Sequence, residues 1–583
     1  MKMHTTYNKY PEVAVRGYDD HACRGWESIR AALSARASTA AKTVLVIDCY
    51  PGVRLEELEQ HLLPALGAAL TLNVESARRD EQAIHTLLAR NLTDDRVFGV
   101  LSCHHLEEFF DPYKLEQLRQ QVIAEAEGVV VIYGPGAALV HPGDLLVYAD
   151  MPRWEIQQRM RHSGLGNWGA DNQDEDILRR YKRAFFIEWR VFDRHKVPLL
   201  KRADFLLDTT VKEAPALVSG EALRAGLQQT TAQPFRVAPF FDPGVWGGQW
   251  MKQRFDLDPT AANYAWCFDC VPEENSLLLR FGDVRIEIPS QDLVLLHPRA
   301  LLGEKVHARF GAEFPIRFDF LDTIGGQNLS FQVHPVTEYI QQQFGMHYTQ
   351  DESYYILEAE PEAVVYLGTK TGIEPQEMLA DLQAAGRGEK AFDDRRFVNQ
   401  IPARKHDHFL IPAGTVHCSG SGTMVLEISA TPYIFTFKLW DWGRLGLDGL
   451  PRPVHLQHGE QVIDWQRDTQ WVNDNLVNRI EPVAEGEGWR EERTGMHERE
   501  FIETRRHWFS APVTHHTHGG VNVLNLVEGA EAVVDSPSGA FAPFIVRYAE
   551  TFIIPAAVGE YRISPAGEGI GQQLATIKAW VRG

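Results

Sequence analysis

Cysteine is scarce, basic residues are outnumbered, and no long apolar run interrupts the 583 residues of this sequence. Six cysteines cannot staple a chain of this length, so its folding rests on hydrophobic cores and a disulfide framework is excluded. Lys and Arg total 58 against 79 Asp and Glu, a formal net charge of −21. That balance argues against a general binder of nucleic acid or of anionic membrane, since either needs a basic face. No apolar stretch approaches the ~18 residues of a membrane span, and Met1–Tyr10 carries no apolar signal core. A cytoplasmic protein is the expectation. What is present is ordinary for globular chains: 44% hydrophobic and 23% charged residues, over a length that asks for two to four domains.

The chain reads as two unlike halves. Up to about residue 235, strand-like apolar runs at Thr43–Asp48, Val97–Leu101, Gly128–Tyr133, Leu145–Ala149 and Phe205–Leu207 alternate with helical stretches. The helical period is expected over Leu55–Leu70, Lys114–Glu127 and Asp174–Leu200, where Ile177, Tyr181, Phe185, Trp189 and Phe192 recur every three or four residues. Helices of this length supply the crossovers that parallel strands need, so an α/β layered domain is expected. Beyond the polar stretch Gln228–Gln233, short alternating segments take over, at Val284–Ile288, Tyr354–Leu357, Ala363–Leu367, Met424–Ile428 and Ile434–Trp440. Their Gly and Pro punctuation fits antiparallel barrels and sandwiches.

An echo divides this second half again. His408-Phe409-Leu410-Ile411-Pro412-Ala413 returns 143 residues later as Thr551-Phe552-Ile553-Ile554-Pro555-Ala556, each copy following an acidic residue. Two copies of one β-barrel module are therefore expected. They differ where chemistry would sit: the first continues to His417, the second to Gly559-Glu560.

The strongest chemical cluster is Leu329-Ser330-Phe331-Gln332-Val333-His334-Pro335. On a strand, Gln332 and His334 share one face, roughly 6.6 Å apart. Glu352 and His417 come from segments that neighbouring strands can bring alongside. Two imidazoles, a carboxylate and an amide oxygen form a borderline-hard donor set suited to Zn²⁺ or another divalent ion. Taken singly, each histidine reads better as a hydrogen-bonded core or surface residue than as a ligand.

From about residue 240 onward, the chain resembles the class I mannose-6-phosphate isomerases, metal-dependent cupin enzymes. Val245-Trp246-Gly247-Gly248-Gln249, Leu329–Pro335, Glu352–Leu357, Phe409–His417, Leu426-Glu427-Ile428 and Lys438–Arg444 carry the resemblance, in order. It implies that Gln332, His334, Glu352 and His417 bind one zinc ion. It also implies that a sugar phosphate is the small-molecule partner and that mannose 6-phosphate and fructose 6-phosphate are interconverted. Such chemistry moves a proton between two adjacent carbons, with a metal available to stabilise oxyanion charge. The resemblance assigns Glu427 a proton-transfer role and Arg444 charge stabilisation or substrate orientation. Ser330 matches a phosphate-contacting position, and Arg452 substitutes for an expected lysine beyond Arg444. Gln350 stands where many relatives carry a lysine, two residues before the zinc-type glutamate. That departure keeps a non-catalytic sugar-phosphate sensor, or an isomerase for another sugar, as alternatives.

The first half resembles nucleoside and related P-loop kinases. Val44–Asp48 runs into a turn, Asp144–Arg161 matches their late strand-to-helix segment, and Arg179, Arg180, Lys182 and Arg183 resemble a basic lid. Yet Cys49-Tyr50-Pro51-Gly52-Val53-Arg54 lacks the glycines, lysine and hydroxyl of a G-x-x-x-x-G-K-[ST] loop. A degenerate kinase-like domain is expected, its basic run otherwise the exposed face of a charged helix. The expected fold is multidomain: this α/β domain over 1–235, then a double cupin (β-barrel or jelly-roll) region. Residues 236–475 form its metal-binding catalytic domain and 476–583 a degenerate second one. Cys267-x-x-Cys270 reads as alternating strand residues, and His515, His516 and His518 as a solvated loop with incidental metal affinity. Cys103-His104-His105 is read the same way, while His406 and His408 flank the His417 segment as possible orienting groups.

Overall fold

The computed structural model describes residues 6–37, 40–430, 435–447, 449, 452–495 and 497–582. The chain forms two compact units. One comprises Glu12–Thr230 with Glu273–His297; the other comprises Met1–Pro11, Thr231–Pro272 and Pro298–Gly583. The division differs from a cut near residue 235: Val284–Ile288, read with the β-rich half, packs into the first unit. No helix among the described residues is long and apolar enough to cross a membrane.

The first unit is an α/β layer structure. Strands Leu70–Asn73, Gly128–Gly134, Lys42–Cys49, Leu145–Asp150 and Phe205–Asp208 lie side by side in that order, all parallel. Ala216–Ser219 and Ala22–Arg24 extend one edge antiparallel. Every residue of Leu145–Asp150 and seven of the eight in Lys42–Cys49 are buried, the pattern of strands covered on both faces. Leu45, Ile47, Val131 and Val147 pack on one face against Trp26, Ile29, Leu33, Leu58 and Leu62. Truncating Ile47 to alanine there would cost about 2–5 kcal/mol. Helix Pro112–Ala124 starts where Asp111 accepts hydrogen bonds from the amides of Tyr113 and Lys114 and Pro112 fits the first turn. A second, three-stranded sheet pairs Glu12–Ala14 with Ser276–Phe281 and Val284–Pro289.

Three details depart from the sequence reading. Val97–Leu101 is not a strand: its amides bond locally to Asp95 and to Asn91, and Phe98 is simply buried. The helical run from Leu55 stops at Leu66, because Gly67 turns left-handed (φ 57°) and the chain enters strand Leu70–Asn73. The basic run is neither lid nor exposed face. Arg180, Lys182 and Arg183 are buried; Arg180 donates to Leu165 O (3.0 Å), Lys182 to Asp95 O, and Arg183 pairs with Glu188 (3.1 Å).

The second unit holds two β-sandwiches built alike. The first faces a six-stranded sheet (His408–Ile411, Glu352–Ala359, Thr423–Ser429, Arg317–Asp322, Trp266–Cys270, Phe240–Asp242) against a five-stranded one. That second sheet runs Val398–Pro402, Val364–Thr369, His417–Ser419, Phe331–Val333, Phe437–Trp440. The second sandwich repeats this with Thr551–Ile554, Asn522–Glu528, Leu574–Val581, Ile502–Phe509, Trp489–Gly495 and Glu481–Gly486. Phe544–Arg547, Glu531–Asp535, Glu560–Pro565 and Val513–His516 form its other sheet. The echoed segments occupy the same place in both, at the edge beside Glu352–Ala359 and Asn522–Glu528. Cys267 and Cys270 are buried free thiols on one strand, with a bulge between Phe268 and Cys270.

Candidate metal centre

The two sheets of the first sandwich bring the sequence-distant donors together. Gln332 lies directly across from His417 in the antiparallel ladder, and His334 follows at the end of the same strand. Glu352 opens a strand of the opposite sheet, paired with Ile411 and Ser429. The turn before His417 needs Gly414 at φ 90°, whose amide donates to His334 O at 2.9 Å and ties the two histidine segments.

His334, Glu352 and His417 are wholly buried, and their ligand atoms lie within 4.8 Å of one another. His334 Nδ1 donates to Phe435 O (2.8 Å) and His417 Nδ1 donates to Thr415 O (2.9 Å). These bonds fix the tautomers, so both Nε2 atoms turn their lone pairs inward. They face Glu352 at 3.0 Å from His334 and 2.8 Å from His417. The Gln332 amide lies 3.2 Å from His417 Nε2. Lone pairs directed at a carboxylate repel it unless a proton or a cation intervenes, and His334 Nε2 and Glu352 Oε1 have no hydrogen-bond partner among the described residues. The donor set thus fits a divalent ion in chemistry and in its unsatisfied atoms. Burial raises the Glu352 carboxyl, but the two imidazoles outweigh it and hold it well below the usual range. Burial lowers His334, and the same carboxylate more than offsets this.

Gln350 adds a neutral donor: its Nε2 bonds Glu352 Oε2 at 2.8 Å and reaches Glu427 Oε1 at 3.5 Å. Glu427 sits cross-strand from Tyr354 and from Asp319. Burial, then Asp319 and Glu352, push its carboxyl well above the usual range, with Arg317 opposing. Asp319 and Arg317 had no sequence signal beyond their place on a strand. His408 Nε2 meets the Ser353 hydroxyl (2.8 Å), beside Glu352, and burial pushes its pKa down to about 3. His406 instead bridges Tyr355 and Glu528.

The remaining predicted residues are Ser330, just before the Gln332 strand, and Arg444 and Arg452, which follow strand Phe437–Trp440. Ser330 is buried and its hydroxyl has no hydrogen-bond partner among the described residues. Arg444 pairs with Asp441 and donates to Asn328 O (2.7 Å), while Arg452 contacts the other carboxylate oxygen of Asp441. Two guanidiniums sharing one carboxylate leave a net positive charge beside the segment leading into Ser330. A cavity of about 580 Å³ lies elsewhere on this sandwich, lined by Lys370, Arg395, Asn399 and Thr469, and none of the donor set lines it.

Comparisons with known proteins divide along the chain. Residues 25–232 match a family model described as a domain of unknown function (DUF8485). Over 235 residues, 40% of this chain, the sequence is 26% identical to a mannose-6-phosphate isomerase of Streptococcus mutans, covering 68% of that protein. It is likewise 26% identical to the mannose-6-phosphate isomerase ManA of Bacillus subtilis, covering 69% of it. A crystal structure of the mannose 6-phosphate isomerase from Bacillus subtilis aligns over 59% of this chain and 99% of its own. Its TM-score is 0.47, with 17% sequence identity. Part of the chain is therefore similar to mannose-6-phosphate isomerases.

Proposed function

We propose that this chain is a zinc-dependent aldose–ketose isomerase interconverting mannose 6-phosphate and fructose 6-phosphate. One observation carries the reading: two buried imidazoles, locked by carbonyls at Nδ1, converge their Nε2 lone pairs on one carboxylate. Gln332, His334, Glu352 and His417 would hold the ion, which supplies Lewis-acid polarisation of the sugar oxygens at C1 and C2. Ser330, Arg444 and Arg452 would hold the phosphate end, since two guanidiniums share the single carboxylate of Asp441 and Arg444 also donates to Asn328 O, two residues before Ser330. Glu427 would take the proton from C2 and return it to C1 while the hydroxyl proton passes from O2 to O1, and the reverse for the ketose. Its raised carboxyl can hold a proton, and the charge of the bound ion would pull it back toward neutral-pH exchange. Gln350 keeps Glu427 and Glu352 in register without adding charge.

A second reading rests on Arg444, whose guanidinium is already engaged by Asp441 and Asn328. An arginine so committed fits a sugar-phosphate sensor that binds without converting. A coupled assay with metal-loaded protein on both hexose phosphates separates the two. Conversion supports the isomerase; binding without conversion supports the sensor, and turnover confined to other sugars reassigns the substrate. The α/β unit fits a degenerate P-loop-kinase-like domain, because its strand-to-helix turn has no phosphate cradle and its basic run serves internal carbonyls.

A further inference from the structure

The two sandwiches can be superimposed residue by residue from their ladders alone. Glu352 pairs with Ile411 as Asn522 pairs with Ile554, and Ile411 and Ile554 are the same position of the echo. Glu427 lies across from Tyr354, two residues beyond Glu352; Lys578 lies across from Leu524, two beyond Asn522. Asp319 pairs with Glu427, and Arg505 with Lys578. In the other sheet Gln332 faces His417, and His516 faces Glu560, the echo position of His417. His518 then stands where His334 does.

At these positions the charge inverts. Glu352, Glu427 and Asp319 become Asn522, Lys578 and Arg505. The one opposite change, His417 to Glu560, places an exposed carboxylate that does not line the cavity. A cavity of about 300 Å³ lies at this place, lined by His515, His516, His518, Asn522 and Lys578 with Trp489 and Trp580. That is the lower end of ordinary small-molecule pockets. His515 is buried, not part of a solvated loop, and its Nε2 has no hydrogen-bond partner among the described residues; His516 and His518 are exposed, their rings 4.7 Å apart.

Lys578 is the central observation. It is 8% exposed, no carboxylate of the described residues lies within ion-pair distance, and its hydrogen-bond contact is His515 Nδ1 at 3.5 Å. A buried ammonium without a counter-charge is costly, and an anionic ligand offsets that cost. Glu491 is the carboxylate of the lining, and it is already held by Arg505 (3.0 Å) and His507 (3.4 Å). No three His, Cys, Asp or Glu side chains among the described residues converge here as they do at His334, Glu352 and His417, so the pocket is not a second copy of the metal centre.

We propose that the second sandwich carries a binding pocket for the phosphate group of a small molecule, with Lys578, His516, His518 and Asn522 as its donors. Where the first sandwich gathers carboxylates for a cation, the second offers an ammonium, imidazoles and an amide to an anion. The two indoles give an apolar wall for the body of a phosphate ester. The proposal does not depend on the isomerase reading.

The test is calorimetric titration of the full chain with inorganic phosphate in a phosphate-free buffer, for wild type, Lys578→Gln and His518→Gln. Saturable binding in wild type, weakened about tenfold or more by Lys578→Gln and severalfold by the exposed His518→Gln, is the expected result. Near-ultraviolet circular dichroism checks that both variants fold, and His518→Gln keeps the test valid if the buried substitution does not. Repeating it with fructose 6-phosphate separates the sources. A tighter, variant-sensitive affinity for the ester assigns a sugar phosphate, and equal affinities assign free phosphate. Phosphate binding that is absent, or unchanged in both variants, overturns the proposal. So does a second equivalent of divalent metal that His518→Gln removes.

Discussion

At the scale of single residues, the proposed isomerase would separate metal holding from phosphate holding along one short segment. His334 and Gln332 belong to the donor set, while Ser330 lies two residues before Gln332 and Arg444, paired with Asp441, donates to Asn328 O. His334→Ala should therefore reduce bound zinc from about one per chain to near zero by elemental analysis, and abolish turnover with it. Metal content equal in wild type and variant would refute the assignment. Arg452→Ala should leave metal content intact and raise KM for a hexose phosphate about tenfold, with kcat changed much less. A fall in kcat at constant KM would instead place Arg452 in the chemistry. Sequence could name these residues because each lies in a contiguous motif with a recognisable order. It could not give the partnership of Gln350 with Glu352 and Glu427, nor Asp441 as the carboxylate shared by two arginines. Those arise from strand register, to which a one-dimensional pattern is nearly blind.

At the scale of elements, the repeated sandwich shows one frame used with opposite charge. Strands that form short, nearly continuous apolar runs were legible, such as Glu352–Ala359, Thr423–Ser429 and the echoed Thr551–Ile554. Val97–Leu101 misled because an apolar run can be buried by local side-chain bonds as well as by a sheet. Lys578 turns this frame into a stability prediction. Burial lowers its pKa from 10.5 to about 8, with Glu491 opposing. In the unfolded chain the lysine keeps its proton to higher pH, so between about 8 and 10.5 the unfolded state binds more protons. The lysine's contribution to stability therefore rises with pH across that window, and near neutrality its charged form is a burden. Lys578→Met should stabilise the chain at pH 7 by roughly 1–3 kcal/mol, and the advantage should shrink toward zero near pH 10. Thermal unfolding of both proteins across that range measures it. A variant destabilised equally at every pH would mean that packing, not the buried charge, governs this position.

At the scale of the whole molecule, the α/β unit is completed by residues that follow the start of the β-rich half. Ser276–Phe281 supplies the partner for Glu12–Ala14, and Val284–Pro289 extends that sheet. Asp292 stands 2.6 Å from Lys196, whose ammonium also meets Asp150 at 3.3 Å, all three side chains being fully buried. Glu274 accepts from Tyr181 (3.0 Å) and Gln157 (3.1 Å). Composition changes near residue 235, and that change is what the sequence shows; a 25-residue return to the first unit carries no compositional mark. The full chain should show no magnesium-dependent phosphoryl transfer from ATP to sugars or nucleosides, since neither loop lysine nor metal-binding hydroxyl follows the Lys42–Cys49 strand. A labelled product from ATP would overturn that. The unit's completion also predicts how it behaves when isolated. A fragment of residues 12–230 loses Asp292 and Glu274 together with two strands, leaving Lys196 with Asp150 and Asp193 but without its nearest carboxyl oxygen, and Glu12–Ala14 an unpaired edge. Leaving buried polar groups unsatisfied costs about 1–3 kcal/mol each, and stripping a sheet of its partners adds to this, a large share of the stability of many domains. Residues 12–230 alone should be insoluble or show no cooperative unfolding transition. The same fragment with residues 273–297 attached through a long flexible linker should recover a sharp transition and near-ultraviolet dichroism. Equal, cooperative unfolding of both fragments would show that the returning segment merely rests on a unit already complete.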